Sequence, residues 1–416
     1  MAKVRGFRFI HASDFHLEQP PRGLTEVPDH LRDLLVDAAY EAAGHVFHFA
    51  IEQEVDFVVL AGDLLDADTT GPRGPLFLID HFERLAEHGI DVYWAGSPVD
   101  GPDRWPDGFP LPSNVRQFPC GSTAEFLFQQ GGFPVARLLG QSRVAGRRVN
   151  ASDFAGDPNG LFTIGVLHAA ESELSSLETT PVDYWALGGE HRYKPALGPR
   201  RTFHYPGSPQ GRTPEATAVH NCLLVHVEGG TVVETRPLPT DAMRWCEGRV
   251  SLPDSVTREN LRELLEAACE QQVAELSAGG APITHLVRWI VSGPPHLTAP
   301  LQHSKQGAAI LNSLRNRYGR GVPPIWSVSL QADYQAPLPE ETTAQENFLG
   351  DFLRTVARYA EGEQERKLDL QPFLDPETPE SLQRLVRLRD QADRQRVLSQ
   401  VAHLGCGLLS GQEVDG

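Results

Sequence analysis

Five side chains in the first half of the chain are of types that bind divalent cations, and each stands where an apolar run stops. Asp14 and His16 follow the run Phe7 to Ile10, Asp63 follows Val55 to Ala61, His168 follows Leu161 to Leu167, and His191 follows Val182 to Gly188. A carboxylate and an imidazole that converge at a strand tip can ligate a borderline divalent metal. If the backbone stays extended through Asp14 and His16, residues i and i+2 share one side. Taken alone, the Asp-x-His triplet reads more readily as a solvated turn with a capping Asp. The other three positions are what point it toward metal chemistry.

The elements that would position these groups follow from periodicity. Residues 30 to 53 carry Leu31, Leu34, Leu35, Ala38, Ala42, Phe47 and Ala50 at helical spacing, and Leu78, Ile79, Phe82, Leu85 and Ala86 form a second such face stopped by Gly89. Strands are predicted at 55–61, 90–95, 161–167 and 182–188, with Thr202 to Tyr205 and Leu223 to Val227 flanking a Pro206 to Arg212 loop. Strand alternating with helix is the rhythm of a mainly parallel sheet, whose ligand sites lie beyond the carboxyl ends of the strands. From about Gly101 to Gly160, Pro and Gly predict loops and small strands at 126–128 and 135–140. The reading divides the chain into residues 1–240, an α+β cap at 241–335, and a linker with two amphipathic helices at 336–416. Those helices carry Phe348, Leu349, Phe352, Leu353, Val356 and Tyr359, then Leu382, Leu385, Val386, Leu388 and Val397, with a start at Thr378-Pro379.

Composition narrows the class of protein. With 416 residues, 40% of them hydrophobic, the chain can build two or three domains. No apolar run of about 18 residues is present to span a bilayer, and no leader pattern precedes the first strand, so a cytoplasmic protein is expected. Five scattered cysteines without a Cys-x-x-Cys pair predict reduced thiols. The formal net charge of −18 argues against broad attraction to nucleic acid, while leaving DNA open as a local partner. A basic loop at Arg143, Arg147 and Arg148 reads more readily as a solvated surface.

The ordered segments His11-Ala-Ser-Asp14-Phe-His16-Leu, Leu60-Ala-Gly-Asp63-Leu-Leu-Asp66, Gly165-Val-Leu-His168, Tyr184-Trp-Ala-Leu-Gly and Tyr205-Pro-Gly-Ser-Pro-Gln-Gly-Arg212 resemble the calcineurin-like metallophosphoesterases. Within that family the match is to the SbcD and YhaO type of bacterial DNA repair exonuclease subunit, over residues 7 to 245. The resemblance implies a four-layer α/β/β/α sandwich, two Mn-like ions sharing Asp63, and in-line hydrolysis of a phosphodiester. It assigns Asp14, His16, Asp63 and His191 to the first ion, and Asp63 and His168 to the second. It also sets the loop ending at Arg212 beside the active site, where Arg212 either touches the substrate phosphate or braces the loop, and it implies an SbcC-like or YhaN-like coiled-coil ATPase as partner, docked on the C-terminal helices unless these pack against the cap instead.

The chain departs from that pattern at two places. Where the family has Gly-Asn-His-Asp, this sequence reads Gly96-Ser97-Pro98-Val99-Asp100, and where it has Gly-His-x-His, this one reads Gly188-Gly189-Glu190-His191. A Pro can donate no proton from side chain or backbone, and loss of a general acid costs on the order of 10²- to 10⁴-fold in rate. Asp100, Asp103 or Glu190 would have to replace the missing donors, with Ser97 as a weak neutral oxygen. The expectation is one divalent ion, Mn with Fe or Zn as alternatives, and reduced or altered hydrolysis. The competing expectation is a catalytically inactive scaffold that keeps the fold and the partner.

Overall fold

The computed structural model describes residues 6–24, 26–155, 160–197, 202–278, 283–334, 338, 340–361 and 391–409. It divides into two compact units, Met1–Trp245 and Cys246–Gly416.

The first unit is mixed α/β, as the strand and helix pattern predicts. One sheet has the order β12-β11-β1-β2-β3-β4, with β1 (Phe7–Ala12), β2 (Phe57–Leu60), β3 (Asp91–Trp94) and β4 (Val115–Gln117) mutually parallel. The other has the order β5-β6-β7-β8-β10-β9, from β5 (Ala124–Gln130), β6 (Phe133–Gln141), β7 (Phe162–His168), β8 (Tyr184–Gly188), β9 (Lys194–Leu197) and β10 (Thr202–Tyr205). The hairpin of β11 (Asn221–Glu228) and β12 (Thr231–Pro239) closes one edge of the first sheet by antiparallel pairing to β1. Between Gly101 and Gly160 the expected small strands are longer than their apolar runs, because β5 and β6 pair as an antiparallel hairpin through Gly131 and Gly132.

Central strands bury both faces, so alternate residues feed different cores. Phe9, Phe57, Val59 and Tyr93 of the first sheet share one cluster with Phe128, Ile164 and Tyr184 of the second. Phe9 stacks on Phe57 at 5.1 Å and meets Tyr184 edge-on at 5.4 Å. The intervening residues Ile10, Val58, Leu60 and Trp94 pack outward with Val46 and Phe47 of α1 (Asp29–Glu52) and with Leu78 and Phe82 of α2 (Arg73–Glu87). On the second sheet, Leu167, Trp185 and Leu187 face Phe154 and the Leu177 end of the one-turn helix α3 (Leu174–Leu177). The registers Ala12 to Leu60, Leu60 to Trp94 and His168 to Gly188 bring each sheet's carboxyl ends level.

The second unit holds a three-stranded sheet of β13 (Met243–Ser251), β14 (Thr284–Ser292) and β15 (Ile325–Ala332). Leu261, Leu265 and Cys269 of α4 (Leu261–Ala278) and Ile310 and Leu314 of α6 (Lys305–Tyr318) pack with Trp289 of that sheet. The short helix α5 (Pro295–Thr298) precedes α6, and α7 (Glu340–Thr343) lies inside the segment expected to be a linker. Beyond it, α8 (Phe348–Glu361) and α9 (Gln391–Leu409) pack together through Leu349, Leu353 and Cys406. The helices and the 246–335 segment thus fall into one unit, where the sequence reading separates them at 335. The predicted helix start at Thr378 and residues Leu382, Leu385, Val386 and Leu388 lie outside the described residues. The described helix extends beyond Val397 to Leu409. Phe348 is 73% exposed and so stands off the buried face on which it was expected.

Candidate metal centre

All five sequence-predicted ligands meet at the carboxyl ends of the two sheets. Asp14, His16 and His191 form one group of potential donors, and Asp14, Asp63 and His168 form another. Asp14 Oδ1 lies 4.0 Å from His16 Nε2, 3.7 Å from His168 Nε2 and 4.0 Å from His191 Nε2. Asp63 Oδ2 lies 3.3 Å from His168 Nε2 and 3.7 Å from His16 Nε2, and the Nε2 atoms of His16 and His191 are 3.3 Å apart. Adjacent ligands about 2.1 Å from one ion stand roughly 3 Å apart, so this mixed carboxylate and imidazole set fits a divalent cation. Asp14 is common to both groups, whereas the resemblance makes Asp63 the shared ligand. The second group has three donors rather than the two expected, because Asp14 joins Asp63 and His168.

The backbone does not bring Asp14 and His16 together in the way extended geometry predicts. β1 ends at Ala12, and Asp14 and His16 take left-handed φ angles of 58° and 47°, with Asp63 at 54°. Such conformations cost of order 1–3 kcal/mol each outside glycine and persist where their surroundings enforce them. Here the two loops lock each other: Asp14 N–H donates to the Gly62 carbonyl at 2.9 Å and His16 N–H to the Asp63 carbonyl at 3.0 Å. Gly188 permits the closeness of the sheets, since a Cβ there would sit 1.9 Å from the Ala61 carbonyl oxygen.

Two groups that the sequence reading did not single out hold Asp14. Ser13 Oγ–H donates to Asp14 Oδ2 at 2.5 Å, and the Gly189 N–H donates to both carboxylate oxygens at 3.0 and 3.2 Å. Asp14 and Ser13 are fully buried. The Gly188-Gly189 pair was the available signal, since a backbone amide can approach a carboxylate closely where no side chain intervenes.

Burial works to raise the Asp63 pKa, but His168, then Ser97 and His16, outweigh it and hold the carboxyl well below its usual range. For His168, burial favours the neutral ring, yet Asp14 and Asp63 raise its pKa to about 10. His16 goes the other way, to about 4, through burial and the charge of Arg212 against the pull of Asp63 and Asp14. The two carboxylates therefore demand positive charge, which a divalent cation would supply with the imidazoles neutral.

The candidate replacements in the departing loops are otherwise engaged. Asp100 is fully buried and accepts the Leu64 N–H at 2.8 Å and the Ser97 N–H at 2.6 Å, so it braces the loop. Asp103 accepts the Cys120 thiol. Glu190 belongs to neither donor group among the described residues. Ser97 is buried beside Asp63, with its Oγ accepting the Val99 N–H at 3.2 Å. Arg212 is half-buried next to the cluster, donating through Nη1 to Gln19 Oε1 at 3.1 Å, while Gln19 Nε2 reaches His16 Nδ1 at 3.4 Å. Elsewhere, His45 meets the Thr240 carbonyl, His81 stacks on Phe47 and His88 meets the Arg84 carbonyl, so these rings serve structure. The five cysteines are thiols outside any disulfide, and among the described residues no helix is long and apolar enough to cross a membrane.

No family model matches the chain. It is 28% identical over 373 residues, 84% of this chain and 87% of the relative, to a Bacillus subtilis (strain 168) protein described as "Uncharacterized metallophosphoesterase YhaO". Among solved structures it is similar to a putative 5'-nucleotidase from Staphylococcus aureus, with 14% identity, a TM-score of 0.38, and 64% of this chain and 58% of that one covered. It is also similar to a dimetal phosphatase from Danio rerio, with 11% identity, a TM-score of 0.34, and 57% of this chain and 100% of that one covered. At TM-scores of this size the structural likeness carries no functional weight.

Proposed function

On the premise that this chain belongs to the metallophosphoesterase family, we propose that it is a metal-dependent hydrolase of phosphoesters, and more narrowly of DNA phosphodiesters in the manner of an SbcD or YhaO type repair exonuclease subunit. The observation that carries the reading is the convergence of Asp14, His16, Asp63, His168 and His191, with donor atoms 3.3 to 4.0 Å apart. A divalent ion held there, Mn by the family resemblance with Fe or Zn equally suited to the mixed donor set, would act as a Lewis acid toward a phosphoryl oxygen.

The remaining roles fall to the chain itself. Asp14, His16 and His191 hold one side of the centre, and Asp63 and His168 hold the other. Arg212 offers a cation to the phosphate oxygens, oriented by Gln19. Pro98 occupies the position of the proton donor and has nothing to give, so the leaving oxygen must depart without protein assistance. Esters of acidic alcohols should therefore turn over faster than DNA phosphodiesters, whose leaving alkoxides are strongly basic. The single-ion expectation and a cytoplasmic setting belong to the same proposal. So does docking of a coiled-coil ATPase on the C-terminal helices, supported by the exposed apolar residues Val401, Leu404 and Leu408 of α9.

Elemental analysis together with hydrolysis of bis(p-nitrophenyl) phosphate tests the reading. The expected result is bound divalent metal, Mn²⁺-dependent turnover, and loss of both in Asp63→Ala. The Pro98 departure supports one competing reading, a scaffold without turnover. At most one ion per chain and no hydrolysis with Mn²⁺ would establish the scaffold.

A further inference from the structure

Adjoining the metal cluster at His191, the first unit contains a cavity of ≈ 190 Å³ that the reading above leaves unused. Ser208, Arg212, Arg192 and His220 share its walls with His191. Ser208 is only 2% exposed, yet its Oγ makes no hydrogen bond within the fold. Buried hydroxyls are nearly always satisfied, so an unpartnered one in a cavity wall points to a ligand that completes it. Its backbone is fixed, since the buried His220 ring donates Nδ1–H to the Ser208 carbonyl at 2.8 Å.

The same walls supply positive charge. Arg212 Nη1 donates to the neutral Gln19 amide at 3.1 Å, and Arg192 Nη2 donates to the Glu215 backbone carbonyl at 2.9 Å. Neither guanidinium is ion-paired among the described residues, and the one carboxylate in the walls, that of Glu215, is exposed. A cavity with a buried free hydroxyl and two guanidiniums that lack carboxylate partners suits an oxyanion able to accept several charged hydrogen bonds.

We propose that this cavity is a second anion subsite, which takes the phosphate adjacent to the one at the metal cluster through Ser208 Oγ–H and the guanidiniums of Arg212 and Arg192. The position of the first phosphate rests on the metallophosphoesterase reading; the second subsite rests on Ser208 and the two arginines. The ligand chemistry is a second phosphate on a nucleotide unit, supplied either by a nucleoside diphosphate or by the terminus of a short strand.

Isothermal titration of the full chain in excess chelator separates these outcomes from the metal reading. Two probe pairs differ by one phosphate: ADP against AMP, and 5'-phosphorylated thymidylyl-thymidine against the unphosphorylated dinucleotide. The extra phosphate is expected to tighten binding by about tenfold in at least one pair, and the pair that responds identifies the source. Ser208→Ala, which removes no contact of the fold, should keep the wild-type melting temperature and lose that preference, and Arg192→Gln should lose the preference as well. No preference in either pair, or a preference that survives in Ser208→Ala and Arg192→Gln, overturns the subsite. Absence of bis(p-nitrophenyl) phosphate hydrolysis with the preference intact would instead overturn only the hydrolytic reading.

Discussion

His11 stands three residues before Asp14 and serves the same corner of the fold without belonging to the metal cluster. It is fully buried, its Nε2 faces the Leu187 carbonyl at 3.2 Å and its Nδ1 faces the Tyr184 hydroxyl at 3.1 Å. A carbonyl only accepts, so Nε2 carries the proton and Nδ1 takes the Tyr184 O–H. Burial first, and then the His204 ring, lower its pKa to about 3, with the Leu187 carbonyl opposing. The folded state thus keeps this ring neutral while the unfolded chain binds a proton below its ordinary value of 6.5. Stability from this group is present above pH 6.5 and drains away as pH falls toward about 3, by roughly 1.4 kcal/mol per pH unit. In His11→Gln, whose amide can serve both partners, denaturant unfolding at pH 6.5 and pH 4 should show a loss smaller than in the wild type by about 3 kcal/mol. An equal loss in both proteins would place the acid sensitivity elsewhere.

At the scale of elements, the candidate metal centre depends on two sheets being held face to face with their carboxyl ends in close approach. The tightest approach is Gly188 at the end of β8, against Ala61 just beyond β2 and against Ser13, where an added Cβ would stand 2.9 Å from the Ser13 Cβ. Gly188→Ala must therefore part the strand ends, and overpacking of this sort costs about 1–3 kcal/mol. The same displacement would withdraw the neighbouring Gly189 N–H from Asp14. The expected outcome is a lower melting temperature together with metal affinity reduced at least tenfold, read by competition with a chromogenic chelator. Unchanged metal affinity would mean that Asp14 is positioned by Ser13 alone. Phe57 offers a contrast within the same sheet: it is fully buried among Phe9, Tyr93 and Phe128. Phe57→Ala should cost about 3–5 kcal/mol of stability in a chemical denaturation series.

For the molecule as a whole, a formal net charge of −18 means that any contact with a polyanion must be local, and that a protein partner is better engaged through apolar surface. The helices α8 and α9 satisfy part of their apolar face mutually, and Gly405 allows the Phe352 ring to close on α9. Val401, Leu404 and Leu408 stay outside as a stripe along α9, the last 65% exposed. If a coiled-coil ATPase docks there, the double variant Leu404→Glu and Leu408→Glu should lose co-purification with it while its melting temperature holds. Retained co-purification would move the contact to another face.

The linear chain by itself determined the donor types, the order of strands and helices, and the places where Asp14, Asp63, His168 and His191 terminate apolar runs, because burial on both faces leaves a local pattern. It also showed Pro98 where the family it resembles carries a His, a difference of residue identity alone. Only the tertiary structure decided that Asp14 is common to both donor groups, that left-handed turns at Asp14, His16 and Asp63 bring the donors together, and that Ser13 and Gly189 hold the shared carboxylate. Those outcomes depend on contacts between segments about 50 to 175 positions apart, and no local pattern of side chains encodes which backbone amide will face which oxygen. The free hydroxyl of Ser208 belongs to the same class: a serine in a Pro-Gly loop reads as a turn residue until packing buries it without a partner.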